Sequence, residues 1–395
     1  MVDIAHQAAI NPASANDAVP ARALVPVTAI EPGPWRALAQ CAIEPNGYYL
    51  PAWELAVSAT AQGRTGALAL RAFDASSTRL IGLMPVTSLW RAWKIPLPAL
   101  VSAHPYGTLC SPLIDGNSAY DAAARLLQQA REAGAHALIL REVALDGAAM
   151  TSLKEALGRT GLKPRVLSSY VRASLNATQD GEKLLQEALG TKKLKELRRQ
   201  RHRLEGHGPV VFEVARGVDE IRPALETFLQ LEASGWKGKR GTALVQHAGD
   251  ATFIRRAVPA LAETAQCEVV SLRAGTTPVA AGIVLRHQDR AFFFKLGIDE
   301  RFAKYSPGVQ LAVELTRHLC SDPAIASADS TANADHPMIN PIWRGRFAIG
   351  DVLIPLRRHD PVVALIHAAL LAHGAAYEAA RRVVHSIRRA NRPAT

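Results

Sequence analysis

Apolar residues crowd 67–73 and 80–88 in strand-length runs, and Asp74, Ser76 and Ser77 between them are turn formers, which predicts a hairpin. A proline-punctuated stretch (Pro96, Pro98, Pro105, Pro112) leads to an Ala/Leu-rich helix over 118–133, a strand at 137–143, a helix at 148–160 and a strand at 164–175. Further on, 210–215 reads as a strand and 218–233 and 249–264 as helices. Three strands follow at 268–273, 279–286 and 290–298, with Gly275 and Gln288–Asp289 at the turns, then a helix over 308–319 and a short strand at 324–328. Strands and helices mixed in this order predict an α/β protein with mixed sheets.

Each half of this pattern runs hairpin, helix, strand, so the architecture reads as duplicated, although no residue-level repeat is visible. The 395 residues divide into a flexible leader (1–30), two compact domains (31–178 and 179–358) and a basic C-terminal helix (359–395). Hydrophobic residues make up 48% of the chain and charged residues 21%, enough to bury cores and too apolar for wholesale disorder. The longest apolar stretch, 362–376, is interrupted by His367 and His373 and is too short to span a bilayer, and the first thirty residues lack the pattern of a signal peptide. Cys41, Cys110, Cys267 and Cys320 are far apart with no CxxC pair, which argues against a zinc site or a disulfide framework and fits a reducing cytoplasm. Neither HExxH, GxSxG, GxxxxGK[ST] nor GxGxxG occurs, removing the support for a zincin, serine hydrolase, P-loop NTPase or Rossmann dehydrogenase.

The net charge of +11 is concentrated in two segments. Residues 191–205 carry Lys192, Lys193, Lys195, Arg198, Arg199, Arg201 and Arg203 against Glu196 and Glu205, and the tail carries Arg381, Arg382, Arg388, Arg389 and Arg392 against Glu378. Leu185, Leu189, Leu194, Leu197 and Leu204 recur near helical spacing through the first segment, giving one apolar and one basic face. That pattern serves a solvated helix face or contact with a polyanion; no aromatics interleave to stack bases.

The chemistry concentrates in 290–310. A Phe-rich strand (Phe292, Phe293, Phe294) ends near Gly297–Asp299, and Ser306, Pro307 and Gly308 open a helix, whose free N–H groups and dipole suit a pyrophosphate. Ordinary capping, with Ser306 as N-cap and Pro307 at the first helical position, explains the same residues.

Several segments in order resemble the GNAT acyltransferase superfamily, in its duplicated CelD/BioF2-like branch, related in fold to the FemABX aminoacyl transferases. They are Tyr49-Leu50-Pro51-Ala52-Trp53, the basic helix 195–204, the stretch from Phe228 to Ser234-Gly235-Trp236-Lys237, and Phe294-Lys295-Leu296-Gly297-Ile298-Asp299 with Tyr305-Ser306-Pro307-Gly308. The likeness continues through 329–343 and covers about residues 45–356. It implies a tandem GNAT-like fold and acyl transfer from acetyl-CoA or another acyl-CoA, with no metal. The donor would be held around Ile298, Tyr305, Ser306, Gly308, Val309 and Gln310; where GNAT loops read Q/R-x-x-G-x-G/A, this chain has Gln310 in place of the second glycine. Asp329 matches the family's acidic position after the helix, and Asp335 and His336 occupy the loop where relatives carry an acidic pair, which implies catalytic roles. A turn at Asp329-Ser330-Thr331 is the competing reading.

Trp236, Lys237, Lys295 and Trp343 are candidates for the acceptor pocket. Lys295, among phenylalanines, requires a partner or an open cleft; a tryptophan such as Trp236 serves equally as packing. The expected function is N-acylation of an amine on a small molecule or saccharide, in polysaccharide or envelope metabolism. Fem-like transfer from aminoacyl-tRNA and a non-catalytic scaffold are the alternatives; nucleic acid is otherwise not an expected partner. The C-terminal helix is expected to dock on the second domain, with pairing to another subunit as a homodimer or contact with an anionic membrane as the alternatives.

Overall fold

The computed structural model describes residues 24–390. Its strands are β1 (Val25–Pro26), β2 (Leu68–Phe73), β3 (Leu80–Ser88), β4 (Ala99–Ser102), β5 (Leu113–Ile114), β6 (Ala137–Ala144), β7 (Arg165–Asn176), β8 (Val210–Ala215), β9 (Cys267–Ala274), β10 (Thr277–His287), β11 (Arg290–Ile298), β12 (Ser327–Asp329) and β13 (Gly345–Pro355). The helices are α1 (Pro32–Gln40), α2 (Pro51–Thr60), α3 (Leu89–Trp93), α4 (Ala119–Glu132), α5 (Ala148–Gly158), α6 (Gly181–Leu204), α7 (Val218–Ser234), α8 (Trp236–Lys239), α9 (Ala248–Ala262), α10 (Pro307–Ser321) and α11 (Pro361–Ala390). All strands join one mixed sheet in the order β1-β2-β3-β4-β6-β13-β7-β12-β11-β10-β9-β8, with β5 alongside β3.

The order shows a duplicated topology. In the first half, β2, β3 and β4 are antiparallel and β6 joins β4 in parallel after α4; in the second, β9, β10 and β11 are antiparallel and β12 joins β11 in parallel after α10. Each half is completed by a strand from the other part of the chain. β7, the last strand before residue 178, lies against β12, and β13 enters beside β6 and pairs with β7 at the centre. The expected division at residue 178 thus separates the halves along the chain but not in the sheet.

The ends differ from expectation. Residues 1–23 of the expected leader lie outside the described residues, but Val25 and Pro26 pair with Ala69 and Leu68, and Val27 is fully buried, so the fold begins before residue 30. The C-terminal helix packs on the first half, not the second: Val363, Ile366 and Leu370 are buried against Leu89, Val101, Ile139 and Leu353. The cause is β13, which leaves the chain beside β6 just before α11 begins. The expected leucine stripe is present, with Leu185, Leu194, Leu197 and Leu204 buried on α6, which bends at Gly190. No described helix is long and apolar enough to cross a membrane, and all four cysteines are free.

One core joins the halves: Tyr48 and Trp53 of the first pack edge-on against Phe292, Phe253 and Phe294 of the second. Asp250 of α9 accepts from the Gln62 N–H (2.8 Å) and the Tyr106 hydroxyl (2.7 Å), and His287 Nδ1 accepts from the Asn46 N–H at 2.8 Å. Glu54 on α2 sits inside this core; one oxygen accepts from Ser58 at 2.8 Å and the other has no partner. Burial pushes its pKa up from 4.5 to about 8, so the folded state keeps a proton that the unfolded chain releases. Its stabilising contribution is complete below pH 4.5 and is lost as the pH rises towards 8. Glu54→Gln is expected to raise the urea midpoint near neutral pH and to flatten its decline across that window, a difference read directly from unfolding curves at either end.

Candidate active site

The parallel pairing of β11 with β12 stops at Phe292 and Asp329, and the strands then part. Between the departing segments lies a cleft of about 480 Å³. A register slip between β10 and β11 places Lys295 opposite Ile283 and Phe293 opposite Val284, leaving Phe294 as an extra, bulged residue. Phe293 packs towards Trp343, Phe294 towards Trp53, and all three of Phe293, Phe294 and Lys295 border the cleft.

One end of the cleft is the start of α10. Ser306 is its N-cap in the left-handed region (φ 53°), with no side-chain cap, and Pro307 opens the helix. The expected capping positions hold, but the serine hydroxyl does not cap. The first intrahelical bond runs from the Gln310 N–H to the Ser306 carbonyl at 3.0 Å, so the Gly308 and Val309 N–H groups have no acceptor within the helix. Gly308 also permits close packing, because a Cβ there would lie 3.1 Å from Leu296 Cδ2 and 3.3 Å from Ile298 Cγ2. On β11, a Cβ at Gly297 would lie 2.8 Å from the Glu232 backbone nitrogen, so glycine lets α7 meet the strand.

Another part of the lining is cationic. Glu232, fully buried on α7, accepts through one oxygen from Lys237 and Lys295, each at 3.1 Å, and through the other from the Leu244 N–H at 3.0 Å. Burial works to raise the Glu232 pKa, but Lys295 and Lys237 outweigh it and hold the carboxylate below its ordinary range. Burial and the neighbouring ammonium of Lys295 lower the Lys237 pKa, against the pull of Glu232. Glu232 was not singled out by sequence, although it falls within the quoted 228–237 segment. The isolated mid-strand position of Lys295 was the signal that a buried carboxylate was needed.

His336 borders the cleft, half-buried, and its Nδ1 accepts from the Met338 N–H at 3.3 Å. The neutral ring therefore carries its proton on Nε2, and burial keeps the pKa below the ordinary histidine value. Such an imidazole is a hydrogen-bond donor.

Ile298, Ser306, Gly308, Val309, Trp236, Lys237, Lys295 and His336 of the expected residues come together in this cleft. The other five do not. Tyr305 borders a separate cavity and its hydroxyl meets His207 Nε2 at 3.1 Å; Gln310 is buried, its amide donating to the Tyr305 carbonyl at 2.7 Å. Trp343 is a core residue, fully buried, its indole N–H donating to Thr316 at 2.8 Å. Asp335 is exposed and outside the lining.

Asp329 faces away from the cleft. It is 1% exposed and paired with Arg172 of β7, while its second oxygen accepts from the Thr331 N–H at 2.9 Å. Burial opposes the charge on Arg172, yet Asp329 raises its pKa above the ordinary value. Arg172 also donates to the Thr108 carbonyl (2.6 Å) and hydroxyl (2.8 Å), and Thr331 donates to the Phe293 carbonyl at 2.6 Å. Asp329 thus fixes the Ser330–Thr331 wall where the halves meet, instead of presenting a base.

The site is thus a strand split beside a helix start whose first N–H groups have no acceptor within the helix. Residues 191–336 match the model of the acetyltransferase (GNAT) domain family. Beyond that segment, the fold of most of the chain is shared with solved structures. FemX is similar over 86% of this chain and 98% of its own, at 13% identity and TM-score 0.54. The C-terminal domain of a putative lysylphosphatidylglycerol synthetase from Agrobacterium fabrum is similar over 86% and 95% (14% identity, TM-score 0.52), and L-PGS from Bacillus licheniformis over 86% and 96% (11%, 0.50). Among curated proteins none matches the sequence significantly.

Proposed function

We propose that the chain is an N-acyltransferase that takes an acyl group from an acyl-CoA, acetyl-CoA in the simplest case, and passes it to an amine on a small molecule or saccharide, in polysaccharide or envelope metabolism. The reading is carried by one observation: Gly308 and Val309, whose N–H groups have no acceptor within the helix, border the same cleft as Lys237 and Lys295. Aligned amides and ammonium groups together favour a bound polyphosphate. The donor supplies a thioester carbonyl; the amine nitrogen bonds to its carbon as the C–S bond breaks. Holding both partners in the cleft supplies proximity, and the His336 Nε2–H suits polarising the carbonyl oxygen. Glu232 and Asp329 are both committed to ion pairs, so the ammonium proton leaves to water on the open side, where Trp236 is 51% exposed.

The likeness to FemX and to lysylphosphatidylglycerol synthetases supports a second reading, in which the donor is an aminoacyl-tRNA. Lys192, Lys195, Arg198, Arg199 and Arg203 form an exposed basic face on α6 that would meet its backbone. Calorimetric titration separates the two. CoA and acetyl-CoA are expected to bind wild type and to bind at least about tenfold more weakly to Gly308→Val, which fills the close approach to α10. Absence of heat with either thioester at millimolar concentration, together with salt-sensitive tRNA binding, would replace the first reading by the second.

A further inference from the structure

The duplication places a second strand split in the first half. β4 and β6 run parallel over Ala99–Val101 and Ala137–Ile139, as β11 and β12 do over Arg290–Phe292 and Ser327–Asp329, and Ser102, His104 and Arg141 follow where they part. A cavity of about 130 Å³ opens there. That is the volume of about four water molecules at liquid density, enough for a phosphate-sized group and too small for a nucleotide.

Its lining is cationic, and Glu142, the acidic neighbour of Arg141, lies outside it. Arg64, Arg91 and Arg141 all border the cavity, and no Asp or Glu does. Arg64 donates to the Gln62 carbonyl at 3.0 Å and to His104 Nδ1 at 3.4 Å, and Arg91 to the Thr65 and Gly66 carbonyls. These neutral acceptors orient two guanidinium groups, and Arg64 also lies 4.2 Å over the Tyr106 ring; neither has an ion pair among the described residues. The Arg141 guanidinium, 5.6 Å from the Trp93 ring, has no ion pair or side-chain hydrogen bond among the described residues.

One neutral group points the same way. His104 Nδ1 also accepts from the Tyr106 N–H at 3.1 Å, so its ring keeps the proton on Nε2 and offers a donor. Burial, with Arg141 and Arg64 nearby, pushes its pKa down to about 3, so the ring adds no charge of its own. Ser102 Oγ accepts from the Arg141 N–H at 2.8 Å and its side chain also bonds to the Cys110 thiol. Three guanidinium groups and the His104 donor line one small cavity, and planar guanidinium groups match the oxygens of phosphate and carboxylate.

We propose that this cavity is an oxyanion site, holding the phosphoryl or carboxylate group of a small ligand between Arg64, Arg91 and Arg141. The site lies in the opposite half from the donor cleft, and the proposal stands independently of the acyl-CoA reading.

Titration calorimetry of the full chain with inorganic phosphate, and separately with acetate at matched ionic strength, tests it. Arg141→Gln and Arg91→Gln are each expected to weaken binding about tenfold or more, while Lys237→Gln in the other cleft leaves it within about twofold. Preference for phosphate over acetate identifies a phosphoryl ligand, and the reverse a carboxylate. No binding of either anion to wild type, or binding that Arg141→Gln and Arg91→Gln leave unchanged, would overturn the proposal.

Discussion

Glu232→Gln is expected to lower the stability of the protein by about 3 kcal/mol, because it leaves the half-buried ammonium groups of Lys237 and Lys295 without their shared carboxylate. The amide keeps an acceptor for the Leu244 N–H, so the loss reports charge and not a missing hydrogen bond. The two lysines then disfavour one another, and the Lys237 pKa, already below 10.5, falls further. A base whose folded pKa is lowered costs stability at low pH and recovers it as the pH approaches the unfolded value. Urea unfolding between neutral pH and about pH 10 should therefore show stability rising more steeply in Glu232→Gln than in wild type. A bound polyphosphate would take over the compensation, so CoA should raise the melting temperature more in the variant. Equal midpoints and parallel pH profiles would remove Glu232 from its assigned place as organiser of the cationic wall.

Asp329→Asn is expected to cost about 3–5 kcal/mol, since it strands the buried Arg172 guanidinium. The double variant Asp329→Asn, Arg172→Gln should recover a large part of that loss, because an uncharged pair leaves no unmatched charge. This outcome distinguishes a positioning residue from a catalytic base. Loss of a base lowers turnover while leaving the melting temperature and substrate affinity intact; loss of the Asp329 pair lowers the melting temperature and loosens the Ser330–Thr331 wall that it holds through the Thr331 N–H. An Asp329→Asn protein with wild-type stability and no turnover would return this residue to the catalytic group.

The elements with strong local pattern were legible in the sequence. The strand at 80–88, the strand at 290–298 and the helix at 218–234 have bounds that match or nearly match the periodicity. β13 was not, because Gly345, Arg346, Gly350 and Asp351 break its apolar run. It becomes a strand only by inserting between β6 and β7, partners supplied about 200 residues away along the chain. The same non-locality governed the site. The helix start at Ser306–Pro307 is a local signal and was readable, as was the oddity of a lysine at 295. Asp329 shows in sequence as an acidic residue after a strand, and only the arrival of Arg172, 157 positions earlier, turns it inward. Glu232 gains its meaning from Lys295, 63 positions on. Trp343 was read as a pocket wall, but the Thr316 hydroxyl satisfies its indole inside the core.

The central claim is that the main-chain N–H groups of Gly308 and Val309 hold the phosphorylated acyl donor. Amide-resolved NMR of the full chain during titration with CoA tests it most directly. The account predicts that the Gly308 and Val309 amide resonances shift strongly and saturate together with those of the cleft-lining Lys237 and Lys295 segments. Saturable CoA binding that leaves both amides unmoved while perturbing other surfaces would contradict it.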